Sequence, residues 1–311
     1  MSTASLVPET RGMELEGDEA VETLRTVGRR RLAIDAFQRF RAADGFSHSR
    51  ALGLQFALTL LPALIAVVGF ATALDQDSFT RVVQETLDDL APGATADLLT
   101  QALRQGTRSS QESGEDALAF GLIAALLAGT TSMGQLERGA NRIYGVERDR
   151  PPLRKYGVAL GLTCTAGTLT VLAFVVLVGG DAIRRSVGWG DELADVFAVV
   201  RWPLGVVLVI AAVALLFEAS PRRHQPEPSW LVVGSAVSVV LWLAFTALLA
   251  LYLTASGGFG ATYGPIAGTI GLLLWSFLSS LALFLGLAFA AQLEAARAGA
   301  PGPRVKREAN V

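Results

Sequence analysis

Few side chains in this 311-residue chain could do chemistry, and most of them sit in apolar surroundings. Gln55, Thr59 and Pro62 lie within one uncharged run, where two neutral polar groups beside a helix-bending proline could line a path or bond to a neighbouring helix. Asn141 stands next to Arg142 in a basic segment, a pairing open to phosphate binding, to helix capping or to plain loop structure. Tyr263, Gly264 and Gly268 follow a glycine-rich break, and Ser276 leads a group with Ser279 and Ser280. Gln135 and the threonines of 156–180 complete the polar set inside the apolar runs. Groups of this kind pack helices together or bond to their own backbone, and they are equally able to line a translocation path.

The sequence lacks recognised catalytic frames. There is no Walker loop, no HExxH and no nucleophile elbow, and Asp88-Asp89 and Glu115-Asp116 read as solvated charges, so no enzyme is expected. His48 and His224 are far apart and have no cysteine or carboxylate at ligand spacing, so neither a metal nor another cofactor is expected. The single cysteine, Cys164, offers no intramolecular disulfide and reads as a small buried apolar side chain.

The elements that position these residues are legible from charge. The chain is 51% hydrophobic and 17% charged, with a mean hydropathy of +0.45, which points to an all-α bundle in lipid. Uncharged stretches cover 51–74, 117–136, 156–180, 202–217 and 228–293. At about 1.5 Å per residue against a hydrocarbon core roughly 30 Å thick, each of the first three needs one crossing. The fourth gains length from 196–200, with Arg201 able to reach the interface. The last is too long for a single crossing and must turn within Ser256 to Pro265.

Six transmembrane helices are therefore predicted, over about 51–74, 117–136, 156–180, 197–217, 230–254 and 264–293. Lys and Arg counted from the N-terminal segment through successive loops to the tail are eight, three, six, three, two, none and four, so alternate segments hold 20 against 6. That asymmetry places the N-terminus, the second and fourth loops and the C-terminus in the cytoplasm. The late start of the first apolar run, after a polar arginine-containing stretch, predicts an anchor and not a cleaved signal peptide.

Outside the spans, residues 1–28 are acidic and poor in hydrophobics, which predicts a disordered head, and 295–311 form a basic tail. Residues 29–41 put Ala33, Ala36, Phe37 and Phe40 on one helical face beside five arginines. This pattern fits an amphipathic helix on the anionic inner leaflet or a solvated lead-in to the first span. No aromatic or motif framework supports nucleic-acid binding. The first outer loop, 75–116, has nine acidic and three basic residues and two apolar stripes, Phe79 to Leu90 and Leu98 to Leu103, expected as short amphipathic helices that cover the bundle or act as a lid.

Within the spans no ionisable group lies deep, which argues against ion-coupled pumping, and Glu137, Glu218 and Glu294 are expected at cytoplasmic ends within reach of water. The repeats Gly260, Gly264, Gly268 and Gly157, Gly161 are expected to allow close helix contact.

Four stretches together resemble the YihY/BrkB family of bacterial inner-membrane proteins, once called ribonuclease BN. They are Ala51 to Pro62, Gly139 to Val146, Pro221 to Trp230, and Tyr263-Gly264 followed by Trp275 and Gly286. The resemblance covers about 30–294 and implies a multi-pass bacterial inner-membrane protein. Where the family often has a Gly-Ala-Glu-Leu-Asn-like sequence near the end of its last span, Gly286 to Ala290 is apolar here, so no role of that glutamate carries to Ala288. Together these features predict a transporter or flippase-like permease for a lipid or amphipathic substrate, with membrane lipids as partners. The alternatives are a non-transporting scaffold using a basic cytoplasmic face and a membrane-embedded hydrolase.

Overall fold

The computed structural model describes residues 3–10, 15, 17–73, 98–101, 104–105, 115–178, 191–255, 266–300 and 302–303. Among them the long elements are all helices and no strand occurs. They are α1 (Gly17–Val27), α2 (Arg29–Ala42), α3 (Gly45–Ala73), α4 (Glu115–Tyr144), α5 (Pro152–Val178), α6 (Asp191–Ala219), α7 (Pro228–Ala255) and α8 (Ala267–Arg297). Five are long and apolar enough to cross a membrane, over Ala119–Tyr144, Pro152–Ala173, Val199–Ala219, Pro228–Ala255 and Ala267–Arg297. The helix α3 has 29 residues and no charge after Arg50, with Pro62 inside its continuous run.

The helices α3, α4, α5, α6 and α7 neighbour one another in chain order, and α8 closes the circuit by packing against α7, α3 and α4. Large apolar side chains such as Leu58, Val199, Val207, Val240 and Leu251 are exposed around the outside, as expected of a surface bathed in lipid and not of a water-soluble monomer. The best-buried helix is α8, whose Gly286 meets α7 so closely that a Cβ there would collide with Ser238 and approach Gly234 O to 2.6 Å. A Cβ on Gly234 would in turn lie 2.6 Å from that of Ala290. The close helix contact thus rests on Gly234 and Gly286. Gly157 and Gly161 have nothing within 4 Å of an added Cβ and are exposed along α5 with Cys164 and Thr168, contrary to the expected glycine contact and buried cysteine.

At one end of the bundle, here called the basal end, residues 3–10, the α4–α5 and α6–α7 connections and the end of α8 meet. The N-terminal segment departs from the disordered head that its composition suggested. Helix α1 carries Asp18 and Glu19 in its first turn and Arg25 in its last, the arrangement that a helix dipole favours. It buries Ala20 and Thr23, packs on α7 and α8, and pairs Glu19 with Arg297 at 2.8 Å.

Helix α2 lies on α8, burying Leu32, Ala36, Arg39 and Phe40 while Arg29, Arg30, Arg31 and Phe37 remain exposed. Asp44, at φ 54, turns the chain into α3, and its carbonyl accepts from Ser47 N and His48 N. Asp is among the few non-glycine residues that visit this region readily.

Of the two outer-loop stripes, Phe79 to Leu90 lies outside the described residues, and in the second 98–101 are helical with Leu99 buried. The turn at 256–265 also lies outside them.

Gly286→Leu should lower unfolding stability in detergent by about 1–3 kcal/mol, the usual range for overpacking, because α7 must move to admit the side chain. Gly161→Ala, which meets no neighbour, should instead raise stability by about 0.5–1 kcal/mol in the same thermal-melt assay, the usual gain from replacing a glycine inside a helix.

Candidate functional site

Side chains at the basal end do most of the polar work among the described residues. Arg150 donates to Ser220 O at 2.8 Å, Pro221 O at 2.8 Å and Ala219 O at 3.2 Å. The last carbonyls of α6 are thereby satisfied by a cation, which also suits the negative end of the helix dipole. Glu137 holds Arg150 from the other side, accepting its backbone N–H at 3.0 Å and lying 3.2 Å from its guanidinium.

Asn141 is fully buried and fully used. Its Nδ2 donates to Asp149 at 2.9 Å, and its Oδ1 accepts from Arg222 N at 2.7 Å. It ties the α4–α5 loop to the α6–α7 loop, so of the roles open to it from sequence the geometry shows loop bonding. Asp149 also receives Lys155 at 3.2 Å, while Arg142 and Arg138 stand at 4.0 and 3.8 Å. Burial pushes the Asp149 carboxyl up, but the bond from Asn141 and the Lys155 ammonium outweigh it and hold the group below its ordinary range.

A second cluster lies between α2, α8 and the α6–α7 loop. Glu294 takes both terminal nitrogens of Arg223, at 2.7 and 2.8 Å, and accepts Thr10 Oγ1 at 3.1 Å. The Arg223 guanidinium sits 4.6 Å above the Tyr144 ring, and its bonds to Glu294 keep its proton held more firmly than usual against the opposing effect of burial. Arg39, with no exposed surface, donates to Gln292 Oε1 at 2.8 Å, Ser5 O at 2.8 Å and Ile143 O at 3.1 Å. Burial lowers its pKa to about 10, with Glu294 acting in the other direction and Arg223 adding to the fall.

These residues revise one expectation. Glu137 and Glu294 are buried in ion pairs and do not reach water, although both lie at the expected end of their helices. The apolar stretch around Ala288 does not leave the end of the last helix without polar groups, because buried Gln292 and Glu294 follow within two turns. The signal that could have found Gln292 is a polar residue whose helical neighbours Ala288, Phe289, Ala295 and Ala296 are all apolar, a pattern that Asp35 beside Arg39 and Arg297 beside Glu294 break.

Away from the basal end the bonds are neutral. Gln135 Nε2 and His48 Nδ1 are 3.3 Å apart. Thr59 donates to Gln55 O at 2.7 Å and pairs with Ser132 at 2.9 Å, linking α3 to α4, while the buried Oε1 of Gln55 has no partner. Pro62 is half-buried one turn further along α3. Ser276 and Gly268 are buried on α8, Ser276 O accepting from Ser280, and Tyr263 and Gly264 lie outside the described residues. Trp242 Nε1 donates to Ser279 and Trp275 Nε1 to Thr246, binding α7 to α8. The α5 threonines bond to their own backbone four residues back and to no other helix. The structure therefore brings Gln55, Thr59 and Ser132 together and keeps Asn141 apart from them, in the basal layer. Among the described residues no three His, Cys, Asp or Glu side chains converge as a metal site requires.

A family profile described as Virulence factor BrkB matches residues 36–310. The chain is 27% identical over 256 residues to a ribonuclease-like protein, YfkH, of Bacillus subtilis, covering 81% of this chain and 91% of that one. It is 28% identical over 249 residues to the UPF0761 membrane protein Bpet3042 of Bordetella petrii, covering 78% of this chain and 52% of the relative. A UPF0761 membrane protein of Stenotrophomonas maltophilia, Smlt0865, is 24% identical over 262 residues, with 58% of its length covered. The chain thus spans only a little over half the length of these UPF0761 relatives. No solved structure matches it.

Glu294→Ala should cost about 3–5 kcal/mol in thermal unfolding, the usual loss when a buried pair is broken and its cation left behind. Arg297→Ala, which breaks a partly exposed pair, should cost less than about 1 kcal/mol. Asp149 titrates lower in the folded chain than in the unfolded one, so its stabilisation is complete above the ordinary value near 3.9 and is lost as the pH falls through the lower folded value. Asn141→Ala should raise that folded value and start acid unfolding at higher pH, as read by tryptophan fluorescence.

Proposed function

The chain belongs to the family described as Virulence factor BrkB, and from that membership and its geometry we propose a plasma-membrane transporter or flippase-like permease for a lipid or other amphipathic molecule. In this reading α3 joins the five apolar helices as the first of six crossings, and the basal end, where positive charge collects, faces the cytoplasm with both chain ends. The protein moves its substrate without bond-making chemistry or an ATPase of its own.

One observation carries the proposal. Among the described residues at the basal end, five largely buried cations, Arg39, Arg142, Arg150, Lys155 and Arg223, gather around Glu137, Asp149 and Glu294, with exposed Glu9 acting on Arg223 from the N-terminal segment. Beyond that layer the polar groups between α3 and α4 are uncharged, from Gln135 to Gln55, Thr59 and Ser132. A charged station at one end of a neutral polar seam, inside an apolar exterior, suits a molecule with a polar head and an apolar tail. Movement along it requires α3 and α4 to part, because Thr59 and Ser132 bridge them at 2.9 Å.

That same contact favours the second reading, a non-transporting scaffold whose exposed Arg29, Arg30 and Arg31 meet partners.

Reconstituted vesicles carrying dye-labelled lipids in both leaflets distinguish the two when an impermeant quencher is added outside. The transporter should speed lipid crossing over protein-free vesicles. Gln55→Ala with Thr59→Val should slow it about fivefold, the effect of losing roughly 1 kcal/mol of polar contact. Correctly folded protein that moves no lipid or amphipathic solute, and that co-purifies with a stable partner, would transfer the assignment to the scaffold.

A further inference from the structure

Residues 3–10 run as an extended strap over the basal end, held by backbone bonds on two sides. Ala4 N donates to Arg142 O at 3.1 Å and Val7 N to Tyr144 O at 3.0 Å. Ser5 N donates to Pro303 O at 3.2 Å, and Ser5 Oγ to Gly302 O at 2.9 Å. Ala4, Ser5 and Val7 are buried, and Leu6 passes against Gly145, whose φ of +82 and lack of Cβ let the strap lie there.

The strap meets the two most buried arginines of the layer with neutral oxygens. Arg39 Nη1 donates to Ser5 O at 2.8 Å and its Nη2 reaches Ser5 Oγ at 3.3 Å. Arg223 Nη2 donates to Pro8 O at 3.1 Å. Glu294 bonds Arg223, and Glu9 of the strap, which accepts His224 N at 3.3 Å, acts on the same guanidinium, whereas the bonds of Arg39 all go to neutral oxygens. Buried guanidinium groups are matched best by oxyanions, which satisfy the charge as well as the donors. Beside them Tyr144 Oη, Arg223 Nε and both amide atoms of Gln225 make no well-formed hydrogen bond among the described residues, although the Gln225 side chain lies close enough to the Tyr144 hydroxyl for a weak one. Buried polar groups left under-used in this way are completed by ordered water or by a ligand.

We propose that Arg39 and Arg223, with Tyr144 and Gln225, form a binding site for a phosphate group at the basal end, and that residues 3–10 occupy it as a displaceable strap. The Ser5 and Pro8 carbonyls and the Ser5 hydroxyl stand where phosphate oxygens would lie, so ligand and strap compete. The phosphate is either the headgroup of an anionic lipid or a free anion. The site deepens the transport reading by giving the substrate's head a place to dock, and its test does not depend on transport.

The full chain in nanodiscs of phosphatidylcholine, with and without added inorganic phosphate, and in nanodiscs containing phosphatidylglycerol, provides that test through hydrogen exchange at the Ala4 and Val7 amides. Displacement predicts exchange at least about tenfold faster with the competing ligand, as local opening becomes the more populated state. Acceleration by phosphatidylglycerol alone identifies a lipid headgroup, and acceleration by phosphate alone identifies a free anion. Unchanged protection in both overturns the proposal.

Ser5→Asp places a carboxylate beside Arg39 as a tethered competitor and should abolish the acceleration while the fold is kept; acceleration that persists in it also overturns the site. Strap release without lipid movement would leave the site standing and remove the transport reading. Lipid movement with an unresponsive strap would do the reverse.

Discussion

The bonds between Glu294 and Arg223 join parts of the chain 71 positions apart. Glu294 lies near the end of the best-buried helix, Arg223 on the connection between α6 and α7, and the same carboxylate also takes Thr10 from the strap. Around this pair, Arg39 fastens α2 to Gln292, and Tyr144 brings the end of α4 under the Arg223 guanidinium. Charges taken this far from water cost several kcal/mol each unless each is paired and its remaining donors are used. The chain meets that requirement largely with backbone carbonyls, and so each buried cation also fixes the course of a loop. Arg150 on the end of α6 and Arg142 on Val146 O and Glu147 O are further cases of the same device.

The opposite condition holds along the helices. In lipid the backbone must satisfy itself, and side-chain bonds between helices add little individually. The α5 threonines accordingly turn back onto their own carbonyls, while the interhelical bonds that do form, Thr59 with Ser132 and two tryptophans with Ser279 and Thr246, are neutral. Packing at Gly234 and Gly286 holds α7 to α8 where no polar bond could do so as closely. Rigidity is thus concentrated in the charged basal layer and in the α7–α8 contact, and the α3–α4 seam carries the weaker polar links.

Much of this was legible in the chain before folding. The uncharged runs located the apolar helices because each is set by local composition, and the order of motifs resembled the family to which the chain belongs. Helix ends were less legible. Helix α4 continues through Glu137, Arg138 and Arg142 because Asp149 and Arg150 of the following connection fold back to receive those charges, a pairing that helical spacing does not reveal. The structure of 17–27 was also hidden, since an acidic composition does not reveal that Ala20 and Thr23 have α7 and α8 to pack on. Glycine spacing misled at Gly157 and Gly161, where a repeat has no facing helix, whereas Gly234 and Gly286 lie 52 positions apart and show no repeat. Asn141 was legible as a residue of note, but its partners Asp149 and Arg222 became visible only in three dimensions.

The strap has a consequence for the order in which the protein is made. Ser5 bonds to Gly302 and Pro303, so almost the whole chain separates the two sides of that contact. Ser5 is synthesised well before Pro303, and contacts of such separation form only after the intervening elements are in place. Until α8 has been inserted and Glu294 has met Arg223, residues 3–10 have no complete seat. Residues made before the bundle are therefore seated after it, and the basal layer stays open throughout the assembly of the helices that it finally seals.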